Sequence, residues 1–305
     1  MTEMTIKPSV VLGEVLFDIF PGGRCLGGAP FNFAFHLHSL GVPVVFASRV
    51  GRDELGNSIL DFARRHDFPV NGIQLDGEHA TGEVKVSLDS RGSPKFEILP
   101  DRAYDYMEHN DLLKGLDSPP LVYFGTLAQR NAASRRTIRE VLKSFSGRSI
   151  LFLDLNLRPP FYTRGIIESS LEFCDVLKVS GEELDELRRI LELPDDHSPQ
   201  AVAGHLQQTY QIGRVCVTRG EAGSEWYRVG ASAPIVQPAH SPKSVQDTVG
   251  AGDAFSAMLA FGLLRNHPEP LALERASLFA SEICTIKGAL PQEKTFYTSF
   301  GAEDG

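Results

Sequence analysis

Short, nearly unbroken apolar runs alternate along this chain with stretches whose apolar residues recur every three or four positions. Val10-Val11-Leu12, Val42 to Val50, Leu121 to Phe124, Ser149 to Leu153, Val176 to Val179 and Val215 to Val217 have the length and β-branched content of buried strands. Helical spacing follows in Phe31, Ala34, Phe35 and His38 after Pro30, and in Ile59, Leu60, Phe62 and Ala63 after Asp53-Glu54-Leu55-Gly56. It returns in Arg135 to Phe145, in Leu184, Leu187 and Leu191, in Phe255 to Leu264, and in Leu271 to Thr285. Strands that alternate with helices predict a mainly parallel central sheet covered by helices on both faces. Such a sheet gathers the polar residues at its carboxyl strand ends into one crevice.

The period changes once. From Ala80 to Leu99, Val84, Val86 and Leu88 alternate with Lys85, Ser87 and Asp89, and Ser90-Arg91-Gly92-Ser93-Pro94 turns the chain into Phe96 and Ile98. A two-stranded hairpin is poorly stable alone, so this insertion must cover something. No internal repeat, low-complexity tract or long linker divides the 305 residues, although Asp195-Asp196-His197-Ser198-Pro199 reads as an exposed loop. One compact unit over residues 1–305 is expected.

Composition excludes several classes. A net charge of −9 with a pI near 5.5 lacks the basic surface that a nucleic-acid backbone demands. No apolar run approaches membrane length, and no long apolar segment follows a basic start at the N-terminus. Cys25, Cys174, Cys216 and Cys284 are far apart and form no C-x-x-C pair. These features point to a soluble protein of the reducing cytoplasm, with no nucleic-acid or membrane partner. A G-x-x-x-x-G-K-[ST] loop is absent, and the glycines complete no G-x-G-x-x-G fingerprint.

Asp247-Thr248-Val249-Gly250-Ala251-Gly252-Asp253-Ala254-Phe255 is the stretch richest in chemistry. Small residues and glycines before an apolar helix leave unpaired amides converging at its N-terminus, which is an anion site. Asp253 stands in the first turn, where it would repel a phosphate unless it served as a base toward an attacking hydroxyl. A plain helix start with an acidic first turn suits the same residues. Elsewhere Asp18 follows an apolar run continuing from Val10 through Phe17, and Asn32 lies in the first turn after Gly27-Gly28. Each is either a turn or cap residue or a partner for hydroxyl groups. Extended spacing in Asp154-Leu155-Asn156-Leu157-Arg158 puts Asp154, Asn156 and Arg158 on one side, as ligand groups or as a salt-bridged strand end. His36 and His38 lack metal-ligand spacing and read as helix-surface residues.

D-T-V-G-A-G-D-A-F resembles the C-terminal signature of the PfkB, or ribokinase-like, sugar kinases. Gly27-Gly28-Ala29-Pro30-Phe31-Asn32-Phe33-Ala34 and Gly51-Arg52-Asp53-Glu54-Leu55-Gly56 resemble the N-terminal one. The likeness spans about residues 10 to 291, and the fructokinase-like members are the most similar. It implies a ribokinase-like α/β fold with a small β lid formed by residues 14–26 and 80–100. It also implies ATP-dependent phosphorylation of a sugar hydroxyl, with fructose as first guess, by a monomer or a homodimer. Asp253 would be the base, with the amides of Gly250, Ala251 and Gly252 on the transferring phosphoryl group. Asp18, Gly28, Asn32 and Arg158 would bind the sugar. Thr218, Gly220 and Gly223 of Thr218-Arg219-Gly220-Glu221-Ala222-Gly223, with Ser277, Lys287 and Gly288, would bind the nucleotide. Glu183 would hold Mg²⁺ through water, and Asp247 a monovalent cation such as K⁺. The family's Asn-x-x-Glu motif has Ser180 in place of Asn, and Ser-x-x-Glu is also a helix capping box. Rival readings are a kinase of the same fold for a keto-deoxy sugar acid, nucleoside or phosphosugar, and a non-catalytic sugar or nucleotide sensor.

Overall fold

The structure, a computed structural model, describes residues 7–88, 94–109, 116–194 and 198–301. Its strands are β1 (Ser9–Leu12), β2 (Leu16–Phe20), β3 (Gly23–Gly27), β4 (Val44–Gly51), β5 (Ile73–Asp76), β6 (Gly82–Leu88), β7 (Pro94–Ile98), β8 (Leu121–Phe124), β9 (Ile150–Asp154), β10 (Val176–Ser180), β11 (Arg214–Thr218), β12 (Ser224–Arg228) and β13 (Ile235–Gln237). Nine of them form one sheet in the order β13-β12-β11-β10-β9-β8-β1-β4-β5. From β11 across to β5 every pairing is parallel, while β12 and β13 add an antiparallel edge. The expected parallel core is present, and β1 and β8 are buried along their whole length because helices cover both faces.

Alternation along the strands splits the core in two. Val11, Tyr123, Phe152 and Val176 face one layer, built on α1 (Ala29–Ser39) and α2 (Glu54–Arg65). Val10, Leu12, Val122, Leu151 and Leu177 face the other, where α3 (Ala132–Phe145), α4 (Arg164–Leu171), α5 (Gly181–Ile190) and α6 (Pro199–Tyr210) pack. The first layer is completed by α7 (Ala251–Leu264) and α8 (Glu269–Ile283), which also bury against each other. Strands β5, β12 and β13 and helices α4 and α6 escaped the sequence reading, because they are short or carry a weak apolar period.

The second sheet has the order β3-β2-β6-β7. It confirms the hairpin, with Val84 opposite Ile98 and Val86 opposite Phe96, and with Val84 and Val86 buried while Lys85 and Ser87 are exposed. The turn residues 90–93 and the loop residues 195–197 lie outside the described residues. One expectation is corrected here: Val15 to Asp18 does not continue the core strand. The chain leaves the large sheet after Leu12, and Asp18 sits within β2 of the small sheet, opposite Cys25 on β3 and Val84 on β6.

A second correction concerns His36. Helix α1 lies between the sheet and the α7–α8 pair, so its residues Pro30 to Leu37 are all buried. His36 therefore faces the core, with Nδ1 2.9 Å from the Tyr297 hydroxyl, and burial pushes its pKa down to about 3, which keeps it neutral. Among the described residues no helix is long and apolar enough to cross a membrane, and the four cysteines are free thiols.

Candidate active site

The parallel strands end along one edge, so Glu14 after β1, Asp154 at the end of β9, Ser180 at the end of β10 and Thr218 at the end of β11 all open on the same side. The chain order reverses at β1, which pairs with β4 on one flank and β8 on the other; open sheets bind ligands at such a switch point. Helix α7 points its N-terminus here. Its cap, Gly250, has φ 79° and ψ −4°, a left-handed conformation that side chains resist. A Cβ there would lie 2.3 Å from Ala289 Cβ, so the turn at 287–289 is stacked directly on the helix start. Ala251 N makes only a long 3.3 Å bond to Thr248 O, and the first regular helical bond is Ala254 N to Gly250 O at 2.9 Å. Amides ahead of that bond lack a regular helical partner, and the helix dipole favours an anion there.

Asp253 stands in that first turn. Asn32, in the first turn of α1, donates from Nδ2 to Asp253 Oδ2 at 2.8 Å, joining two residues 221 apart in sequence. Burial pushes the Asp253 pKa up to about 6; the Asn32 bond opposes this, Asp154 adds to it, and Lys178 and Arg158 oppose it. The carboxyl group is thus a base near neutrality. Asn32 Oδ1 is buried with no hydrogen-bond partner among the described residues, an acceptor awaiting a donor.

Asp18 is half-buried; burial raises its pKa and Arg158 lowers it, so lid strand β2 and the loop after β9 face each other. Arg158 itself is exposed and donates to its own neighbour, Leu157 O, at 3.2 Å. The one-sided arrangement of Asp154, Asn156 and Arg158 does not hold. Extended backbone ends at Asp154, and Asn156 takes φ 41°, which swings Arg158 outward while Asp154 stays fully buried. Asp154 pairs with Lys178 instead, at 3.1 Å.

Ser180 and Glu183 form the capping box that opens α5: Glu183 N donates to Ser180 Oγ at 3.1 Å, and Ser180 N to Glu183 Oε2 at 2.8 Å. Glu183 Oε1 also accepts from Leu157 N at 2.6 Å, which ties α5 to the Arg158 loop. Asp247 links two turns, taking Val249 N on Oδ1 and Gly288 N on Oδ2, both at 3.0 Å. Gly28 caps α1, and Lys287 is exposed beside Gly288.

Thr218 pairs with Ser180 in the sheet, which puts the turn to Gly223 next to the start of α5. That turn closes through Arg219 N to Gly223 O at 2.8 Å and leads into β12, so it is also a hairpin. Gly223 fits against β13, where a Cβ would meet Gln237 O, and Gly220 is exposed. Ser277 on α8 spends its hydroxyl on the Pro238–His240 segment, accepting from His240 N at 3.1 Å.

Asp253, Asn32, Gly250, Asp247, Gly288, Arg158 and Asp18 therefore converge on the open end of α7, whereas Gly223 and Ser277 border residues 237–240, Thr218 lies beside Ser180, and Gly220 is exposed. Three residues at the centre were not singled out beforehand. Glu14 is buried, and its pKa is pushed up to about 7, by burial first, with Asp253 adding and Arg158 and Arg130 opposing. Lys178 and Ser256 surround Asp154 under the helix. A lysine inside an apolar strand run was the available signal for Lys178; nothing in the local pattern marked Ser256. Among the described residues no group of three or more His, Cys, Asp or Glu is placed to hold a metal ion.

A sequence profile described as pfkB family carbohydrate kinase matches residues 23–295. The chain is 29% identical to a fructokinase of Klebsiella pneumoniae over 92% of its own length and 94% of that relative. An uncharacterized sugar kinase from Pyrococcus horikoshii, solved in complex with ATP, superposes with a TM-score of 0.79 at 27% identity, covering 92% of this chain and 93% of that one. A double mutant of the fructokinase from Vibrio cholerae, solved with fructose, ADP and potassium ion bound, shares the fold with a TM-score of 0.79 at 22% identity, covering 93% and 94%.

Proposed function

The chain belongs to the pfkB family of carbohydrate kinases, and from that premise we propose that it transfers the γ-phosphoryl group of ATP to a hydroxyl of a small sugar, with fructose as the first acceptor to test. The observation that carries this reading is Asp253. It is a carboxylate with a pKa near 6, held by Asn32 at the N-terminus of a buried helix, where a base and an anion site coincide. The acceptor oxygen attacks the γ-phosphorus, the bond to the β,γ-bridging oxygen breaks, and the acceptor's proton passes to Asp253. Amides of Gly250, Ala251 and Gly252 stabilise the charge that gathers on the transferring group. Asn32 Oδ1, Asp18 and Arg158 grip acceptor hydroxyls beneath the lid, with Gly28 turning the chain beside them. The nucleotide lies against Thr218, Gly220, Gly223, Ser277, Lys287 and Gly288.

Mg²⁺ would neutralise charge between the ATP phosphates. Glu183 fits contact with it through water, because each of its oxygens already holds one backbone amide and keeps one lone pair. Few protein ligands suit an ion that keeps most of its water and takes the rest of its shell from phosphate. Asp247, with one lone pair left on each oxygen, fits a monovalent cation such as K⁺ between the turns it joins.

ATP consumption over a panel of fructose, other hexoses, ribose, a keto-deoxy sugar acid, nucleosides and fructose phosphates tests the proposal. Turnover of one sugar well above the rest supports it, and turnover only of a nucleoside or a phosphosugar replaces the acceptor. Calorimetric binding of sugar without turnover of any compound makes the protein a sensor.

Asp18→Ala is expected to raise the sugar KM or lower kcat/KM by roughly 10- to 100-fold, the loss of one or two charge-assisted hydrogen bonds. ATP affinity measured without sugar stays the same. Weakened ATP binding with intact sugar kinetics would place β2 on the nucleotide side instead. Ser180→Asn keeps the helix cap, since Asn caps about as well as Ser. The fully formed capping box predicts ATP KM and Mg²⁺ dependence within about twofold of the parent, and a larger movement of both would put this position in the metal-phosphate shell.

A further inference from the structure

A buried ion pair lies under the open end of α7. Lys178 Nζ donates to Asp154 at 3.1 Å (Oδ1) and 3.3 Å (Oδ2), and the two residues are 7% and 0% exposed. Ser256 directs its hydroxyl to Asp154 Oδ2 at 2.7 Å and lies 3.0 Å from Gly252 O. A Cβ placed on Gly252 would be 3.3 Å from Lys178 Nζ, so the ammonium rests against the first turn of the helix. Ser256, which holds the anion, is four residues further in, about 6 Å along the axis. The pair is therefore a dipole laid parallel to that of the helix, positive end toward the anion site.

Core stability is a weak reason for this placement. A cation at a helix N-terminus opposes the macrodipole, and buried ion pairs are commonly no more stable than apolar replacements. The carboxylates of Asp154, Glu183 and Asp253 already favour the ammonium there, and negative charge arriving at the helix end during phosphoryl transfer favours the arrangement further. We propose that Lys178 is a positioning residue for phosphoryl transfer: oriented by Asp154 and Ser256, its ammonium strengthens the anion-binding end of α7 and keeps Asp253 ionised. The proposal rests on the reading of Asp253 as the base. Charged groups reach Asp253 from each neighbouring element. Asp154 on β9 and Glu14 after β1 raise its pKa, Lys178 on β10 and Arg158 in the loop after β9 lower it, and Tyr123 on β8 is held neutral by burial. Of the two cations, only Lys178 is buried and fixed by hydrogen bonds.

The test is kcat against pH with ATP and fructose, or the best acceptor of the panel, for Lys178→Met and for Lys178→Met/Asp154→Asn. The single variant strands a buried carboxylate, whereas the double variant removes both charges and is expected to melt within a few degrees of the parent. Expected for the double variant is a loss of about 10- to 100-fold in kcat, with the acceptor KM within about threefold. Where the single variant folds, its acid limb moves to higher pH, because Asp154 then acts on Asp253 without the opposing cation; the double variant brings the limb back. A double variant with kcat within threefold of the parent overturns the proposal, and so does one that fails to fold, since either makes the pair a core feature alone. Asp253→Asn run in parallel separates the two ideas. Turnover there near that of the parent removes the base itself, while an inactive Asp253→Asn beside a normal double variant removes only Lys178.

Discussion

Asp253→Asn is expected to fold, to bind ATP, and to lose roughly 10²- to 10⁴-fold in turnover, the range for a lost general base. The swap is nearly isosteric, and Asn32 still finds an acceptor oxygen at position 253, so the geometry around α7 should persist. With Asp253 as the proposed base, the parent's activity is expected to fall as Asp253 is protonated, so kcat/KM should decline below about pH 6. That limb should vanish from whatever activity the variant keeps. Stability moves the opposite way. The folded-state pKa of Asp253 lies above its ordinary 3.8, so the folded protein binds this proton more tightly than the unfolded chain does. The parent therefore bears the cost of a buried ionised carboxylate above pH 6 and sheds it as pH falls from about 6 toward 3.8. Asp253→Asn, lacking that cost, is expected to melt at or above the parent's temperature at pH 8, and turnover within a few-fold of the parent would take Asp253 out of the reaction.

Gly250→Ala is the second large effect, and it joins stability to activity. Left-handed backbone costs a side chain about 1–2 kcal/mol. The new methyl would also meet Ala289 Cβ at 2.3 Å and Ala289 Cα at 2.7 Å, an overlap relieved only by moving the helix start or the 287–289 turn. Overpacking of this kind costs roughly 1–3 kcal/mol, so in a chain of 305 residues the melting temperature should fall by roughly 3–8 °C. Because the amides proposed to face the phosphoryl group move with the turn, kcat should drop by about 10²-fold or more, as for the loss of one such donor. Gly204→Ala, in the middle of α6 with nothing within 4 Å of its Cβ, is the control and should be neutral or stabilising. Parent-like melting and turnover for Gly250→Ala would mean that the helix start tolerates displacement, and the anion site would have to lie elsewhere.

The amino-acid pattern by itself determined the parallel sheet, the covering helices, the lid hairpin and the segment 247–255. These rest on local periodicity and on glycine and proline placement, which act over a few residues and so are written in contiguous sequence. The capping box at Ser180 and Glu183 was legible for the same reason, since its two hydrogen bonds close within four residues. The apolar run through Asp18 did not show where the chain leaves the large sheet, because a chain passing from one sheet to another keeps the same apolar alternation on both sides of the break; only the family resemblance placed residues 14–26 in the lid, where the tertiary structure pairs Asp18. Tertiary structure alone decided that His36 is buried, because a helix covered on every side shows no polar face to distinguish its surface. The bond from Asn32 to Asp253 and the pairing of Lys178, Asp154 and Ser256 also needed the folded chain. Each joins side chains from different elements, and Ser256 and Asp154 lie 102 residues apart. Burial by those neighbours is what shifts the Asp253 pKa, and burial is a property of the packed molecule that spacing along the chain does not encode.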